Sequence, residues 1–248
     1  MEKIGLQLYS IGELTEADFI GTLEKVGKMG YDGVEFAGYF DTSAKDLKKA
    51  LDMYGLKAAG SHIGIDELNN DLDKIIDYSL EIGSPYIICP ILTEDMRNSA
   101  DSYKKTAYGF NIIGQKCKDN GIRFGYHNHN FEFQKFDGEY GIDILVKNTR
   151  PELLFIELDT FWVEYSELKS VDFIKKYKER CAILHIKEMK SLEEKINTEI
   201  GKGIMNFKAI IEEGKNAGVE WYIVEQEYFE IPQLKSIEES LIYLRGII

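Results

Sequence analysis

What most constrains this chain is an alternation. Eight short runs rich in β-branched and aromatic residues recur roughly 25–40 residues apart, with longer segments of helical period between them. The runs are Ile4–Tyr9, Gly33–Ala37, Leu56–His62, Tyr86–Pro90, Ile122–His127, Leu153–Leu158, Ala182–Ile186 and Trp221–Val224. In the first intervening segment, Thr15–Met29 carries Phe19, Ile20, Leu23 and Val26 at helical spacing and stops at Gly30. Leu68–Ile82 shows Leu68, Leu72, Ile75, Ile76 and Leu80 before Gly83. Ser102–Asn120, Ile142–Asn148, Val171–Glu179, Asn206–Asn216 and Leu234–Leu244 read similarly.

Strands that alternate with helices pair in parallel through right-handed crossovers. Eight of them form either an open doubly wound sheet or a closed barrel. An open dinucleotide-type sheet calls for a glycine-rich phosphate loop after its first strand, and Tyr9-Ser10-Ile11-Gly12-Glu13 is no such loop. The expectation is an α/β chain folded as one (β/α)8 barrel, a single domain over residues 1–248.

Charge narrows the partners. The chain has 30 Lys and Arg against 43 Asp and Glu, a net −13 with no basic stripe. Nucleic acid and anionic membrane surfaces are therefore not expected as partners. No apolar run approaches the ~20 residues of a membrane span. Met1-Glu2-Lys3-Ile4-Gly5 enters a strand-like run without a signal peptide, which points to the cytoplasm. Cys89, Cys117 and Cys181 lie in apolar surroundings without metal-binding spacing and read as buried, reduced thiols. Homo-oligomerisation is left open.

In a barrel of this kind the chemistry sits at the C-terminal ends of the strands. All four histidines, His62, His127, His129 and His185, fall at the ends of the third, fifth and seventh runs. A lone histidine is more often structural than functional, but that account fits poorly when all four gather at one rim. Side chains two apart on a strand share a face. His127/His129, Glu157/Asp159, His185/Lys187 and Glu225/Glu227 are thus expected to point together, joined by Glu35 and His62. Buried charges are costly unless paired or coordinated. Lys187 offsets one acid, and a divalent cation with mixed carboxylate and imidazole ligands accounts for the rest. Ion pairing around Lys187 alone is the competing explanation.

The segments Tyr126–Phe133, Glu157–Trp162, Leu184–Lys190 and Val224–Glu227, with Ser61–Gly64 and Glu199–Gly203, resemble the xylose isomerase-like TIM barrels. These are the sugar phosphate isomerase/epimerase proteins, whose superfamily includes AP endonucleases, ketose 3-epimerases and inosose dehydratases. The resemblance covers essentially the whole chain and is specific for the superfamily, not for a substrate. It implies one divalent ion (Mn, Mg, Co or Zn) held at the ends of strands five to eight, with Asp159, His185 and Glu225 as ligands. The family epimerases usually supply a glutamate from strand five. Here that stretch reads His127-Asn128-His129, with Glu132 further on. His127, His129 and Glu132 are all candidates for the fourth ligand. A histidine, His129 foremost, is preferred because Glu132 lies beyond the predicted strand end.

The resemblance further implies a metal-dependent isomerase or epimerase of a small-molecule sugar, sugar phosphate or polyol. It would abstract a proton next to a carbonyl through a metal-stabilised enediolate. Glu225 and a strand-five histidine, His127 or His129, would divide the acid–base work. Lys187 would stabilise developing oxyanion charge, and Glu35, His62, Glu132, Trp162 and Glu227 would contact the substrate. A lyase or dehydratase acting on a keto-sugar or inosose with the same metal site is the alternative, supported by the histidine-rich strand five. Gly201 and Gly203 flank Lys202 where barrels often bind phosphate. A flexible loop is the plainer reading, which leaves substrate phosphorylation open. An AP endonuclease fits neither the charge nor the small number of histidines. A barrel that merely binds sugar is the non-enzymatic alternative.

Overall fold

The computed structural model describes residues 2–248. Its first strand, β1 (Lys3–Gln7), pairs in parallel with β2 (Gly33–Phe36), which is followed by β3 (Lys57–His62) and β4 (Tyr86–Cys89). The second half comprises β5 (Arg123–His127), β6 (Phe155–Asp159), β7 (Cys181–Ile186) and β8 (Trp221–Val224). Neighbours follow chain order, and β8 closes the barrel on β1, from Lys3 opposite Trp221 to Leu6 opposite Val224. The expected (β/α)8 barrel is thus borne out.

Strands β2, β4, β6, β7 and β8 are buried at every residue, as parallel strands covered by helices outside and packed inside must be. Alternation sorts the inward residues into levels. Phe155, Ile183, Trp221 and Ile223, with Tyr86 and Ile88, form one apolar cluster. Gly125 makes room for it, since a Cβ there would lie 2.4 Å from the Phe155 ring. Moving up the same faces, Glu157 follows Phe155 and His185 follows Ile183, so the barrel is apolar below and polar above. Two register shifts interrupt the ladders, between Val34 and Glu35 and between Ile156 and Glu157. Each immediately precedes a buried glutamate.

Three local details differ from the sequence expectation. The first strand ends at Gln7, whose side chain accepts the Tyr9 N–H and turns Leu8–Ile11 into a 3-10 helix. The helix expected over Thr15–Met29 divides into Gly12–Ala17 and Phe19–Met29, because Asp18 caps the second piece by accepting the Gly21 N–H. A further helix, Ala44–Tyr54, was not anticipated; Ser43 caps it, and Leu47, Ala50 and Leu51 bury its inner face.

Candidate active site

A cavity of about 480 Å³ opens at the strand ends. His62, His127, His129, Glu225 and Glu227 supply its polar lining, and Tyr9, Ala37, Pro90, Ile91 and Trp162 the rest. No lysine or arginine lines it.

At and beneath the polar lining, side chains from β2, β3, β5, β6 and β7, with Glu225 just after β8, form two linked groups. In the lower one, His62 Nε2 lies 2.7 Å from Glu157 and 3.1 Å from Glu35. His185 Nε2 is 2.7 Å from Glu35, and His127 Nδ1 is 3.0 Å from Glu157. In the upper group, His185 Nδ1 lies 2.7 Å from Glu225 Oε2, and His127 Nε2 lies 3.8 Å from Asp159 Oδ2. His127 and His185 therefore belong to both groups and turn opposite ring nitrogens to each. Among the described residues, His62/His127/Glu157/His185 and His127/Asp159/His185/Glu225 are two sets whose donor atoms all lie within 4.8 Å of one another.

Burial sets the charge states. It pushes the Glu35 carboxyl upward, yet His62 and His185 outweigh it and hold that group well below the usual carboxylate range. Glu157 is likewise held at about 2 by His185 and His62, against burial and the nearby Glu35. Burial would make His62 less basic, but Glu35 and Glu157 raise it to about 10. In the upper group burial dominates at Asp159, pushing it up to about 7 despite Lys187. Glu225 is held low, because Lys187 and His185 overcome its burial.

The upper set fits a divalent cation. Asp159 Oδ1 accepts the Phe161 and Trp162 N–H groups, while Oδ2 is buried without a hydrogen-bond partner. A buried orphan acceptor facing an imidazole nitrogen across 3.8 Å is incomplete as a hydrogen-bond network. Two carboxylates and two imidazoles form a mixed donor set that could hold a divalent cation.

Asp159, His185 and Glu225 stand together, and the strand-five residue beside them is His127; His129 lies outside both sets. Its ring faces the cavity, stacked on Phe131 with centroids 5.2 Å apart and 5.4 Å from Trp162. Burial lowers His129 to about 4, so its imidazole is neutral near pH 7. Glu35 and Glu132, expected to contact substrate, do not line the cavity. Glu35 lies in the lower layer, and Glu132 is buried behind the β5 loop. There Glu132 accepts the Tyr126 hydroxyl at 2.6 Å and the His129 N–H at 2.7 Å. Strand parity predicts which face a side chain takes, not how deep it sits. Lys187 is fully buried and pairs with Glu227. Its Nζ lies 3.9 Å from Glu225 and 5.0 Å from the Trp162 ring centroid.

Two site residues escaped the sequence reading. Asn128 clamps β5 to β6, accepting the Asp159 N–H at 3.0 Å and donating to its carbonyl at 3.3 Å. Gln7 is fully buried and donates to Glu35 at 2.7 Å. A lone amide inside an apolar first strand was the available signal.

A family model described as "Xylose isomerase-like TIM barrel" matches residues 23–247. The chain belongs to that family. An inosose dehydratase from Clostridium botulinum is 25% identical over 223 residues, covering 82% of this chain and 72% of that protein. Another inosose dehydratase, from Geobacillus thermodenitrificans, is 23% identical, with 87% and 83% covered. Among solved structures, a sugar phosphate isomerase/epimerase from Parabacteroides distasonis is 28% identical, with a TM-score of 0.86 over 99% of this chain and 94% of that one. A 3-keto-D-glucoside 4-epimerase from E. coli, 18% identical with a TM-score of 0.71 over 99% and 100% of the two chains, shares the fold. The matched proteins carry the names of enzymes that act on sugars or inososes. Among the described residues, no helix is long and apolar enough to cross a membrane.

Proposed function

We propose that this barrel is a metal-dependent isomerase or epimerase of an unphosphorylated ketose or keto-polyol. Its first chemical step is removal of the proton next to the carbonyl. The observation that carries this reading is the placement of Glu225. Its Oε2 faces His185 Nδ1 at 2.7 Å, while its Oε1 lies 3.9 Å from Lys187 Nζ, and the residue lines the cavity.

His127, Asp159, His185 and Glu225 would hold the cation. Bound there, a divalent cation polarises the substrate carbonyl and makes the neighbouring C–H acidic. Glu225 takes that proton, and Lys187 stabilises negative charge developing beside it. His129, on the loop after β5, faces the substrate from a wall separated from β8 by β6 and β7. Trp162 and Tyr9 offer apolar faces to a sugar ring.

A neutral substrate is favoured by the charges that line the cavity. The polar lining is acids and imidazoles, and the Gly201–Gly203 loop already has an anion in place, the Glu188 carboxylate on the Gly201 N–H at 3.0 Å. Dehydration of a keto-polyol is the second reading, favoured by the relatives named inosose dehydratase and by a strand-five imidazole at the metal set. Proton NMR in D2O separates the two. Isomerase and dehydratase both exchange the proton next to the carbonyl, and only the dehydratase yields a product one water lighter.

A further inference from the structure

Resting on that metal site, we infer that Gln7, Glu35 and Glu157 form a buried relay that sets the tautomers of the two ligand imidazoles. They act as positioning residues. A neutral imidazole has one N–H and one lone pair, and only the lone pair can bind a metal. A carboxylate only accepts. His185 turns Nε2 to Glu35 at 2.7 Å, so the N–H belongs on Nε2 and the lone pair on Nδ1, the nitrogen facing Glu225. His127 turns Nδ1 to Glu157 at 3.0 Å, which leaves the Nε2 lone pair facing Asp159. Both rings thus present their lone pairs upward, one through each nitrogen type.

The polarity can be traced to a backbone group. Tyr9 N–H donates to Gln7 Oε1 at 3.0 Å, which fixes the orientation of that amide. Gln7 Nε2 must then donate, and it does so to Glu35 at 2.7 Å, with His62 Nδ1 at 3.3 Å. His62 turns its Nε2–H to Glu157 and Glu35. The backbone is shaped for this as well. Register shifts precede both Glu35 and Glu157, and such irregularities re-aim side chains beside active sites. Gly60 leaves space for Glu35, because a Cβ there would stand 2.8 Å from Oε1.

The test is Zn²⁺ titration of the wild type and of Glu35→Gln, together with long-range ¹H–¹⁵N NMR of histidine-labelled wild type with Zn²⁺. An amide at position 35 can donate as well as accept, so it no longer enforces the tautomer. The expected result is one Zn²⁺ per chain in both proteins, with affinity about 10–100-fold lower in Glu35→Gln. In the wild type, His185 should carry its proton on Nε2 and His127 on Nδ1. Should Glu35→Gln fail to fold, the wild-type spectrum decides alone. Equal Zn²⁺ affinities, or a proton on His185 Nδ1 in the Zn²⁺ form, overturn the relay while leaving the metal site standing. A wild type that binds no Zn²⁺ overturns the metal site and the relay with it.

Discussion

The Glu188 carboxylate accepts the Gly201 N–H at 3.0 Å, and its other oxygen accepts the Met189 and Met205 N–H groups, each also at 3.0 Å. The Gly201–Gly203 loop, read from sequence as flexible with phosphate left open, is therefore organised around a built-in anion. Lys202 is likewise engaged, pairing with Glu239 and Glu199. Gly203 has no room for a side chain, as a Cβ would lie 2.0 Å from the Met189 carbonyl oxygen. Glu188→Ala removes the acceptor from three N–H groups and should cost at least about 2 kcal/mol in denaturant unfolding. Sugar phosphates should turn over no better than their unphosphorylated counterparts. A clear preference for the phosphate ester would contradict this reading of the loop.

Lys187 is the lysine packed among Asp159, Glu225 and Glu227, beside His185. Replacing it with Met removes one buried partner of these acids, a change expected to cost about 3–5 kcal/mol. Glu225 should also become easier to protonate, since Lys187 is foremost among the groups holding it low. The pH–rate profile of Lys187→Met should therefore lose its acid side at higher pH than the wild type does. An unchanged profile would separate Lys187 from Glu225.

Glu132 gives a stability prediction with a definite sign. Burial raises its pKa to about 8 in the folded chain, from an ordinary value of 4.5. Between those values the folded state holds a proton that the unfolded state has lost. Stability from this group is fully present below about pH 4.5 and declines as pH rises through about 8. The stability advantage of wild type over Glu132→Gln should shrink by on the order of 4 kcal/mol from pH 4.5 to 8.5. Urea melts across that range would check it, and a difference that is flat or grows with pH would be inconsistent with a protonated Glu132.

Asp159→Asn keeps shape but removes charge from the orphan oxygen side of the upper set. Stoichiometric metal binding should be lost in equilibrium dialysis, while thermal stability without metal holds or rises, because burial disfavours the ionised carboxyl. Retained stoichiometric binding with unchanged affinity would remove Asp159 from the ligands.

Much of this architecture was legible in the chain. Every barrel strand overlaps an expected run, because fully buried parallel strands leave short apolar stretches between helical periods. The ends of strands three, five, six, seven and eight led to the polar groups in and beneath the cavity, since parity carries the direction of a side chain. Depth was not legible. Glu35 reads like a residue at the rim, yet a register shift and the space over Gly60 place it below the ligand imidazoles. Glu132, expected to contact the substrate, is carried behind His129 by the turn Phe131–Phe133. The helix Ala44–Tyr54 could have been found from Ser43, Asp46 and Gly55, its cap, first-turn acid and stop.

The central claim is that Glu225 removes a proton next to a carbonyl at a metal-dependent site. Its most direct test is ¹H NMR in D2O of unphosphorylated ketoses and inososes incubated with the Mn²⁺-, Mg²⁺-, Co²⁺- or Zn²⁺-loaded protein, quenched and freed of metal before recording. The account expects loss of the signal next to the carbonyl with the wild type, and its persistence with Glu225→Gln or after chelation. Exchange by Glu225→Gln at the wild-type rate, or wild-type exchange unaffected by chelation, would contradict it.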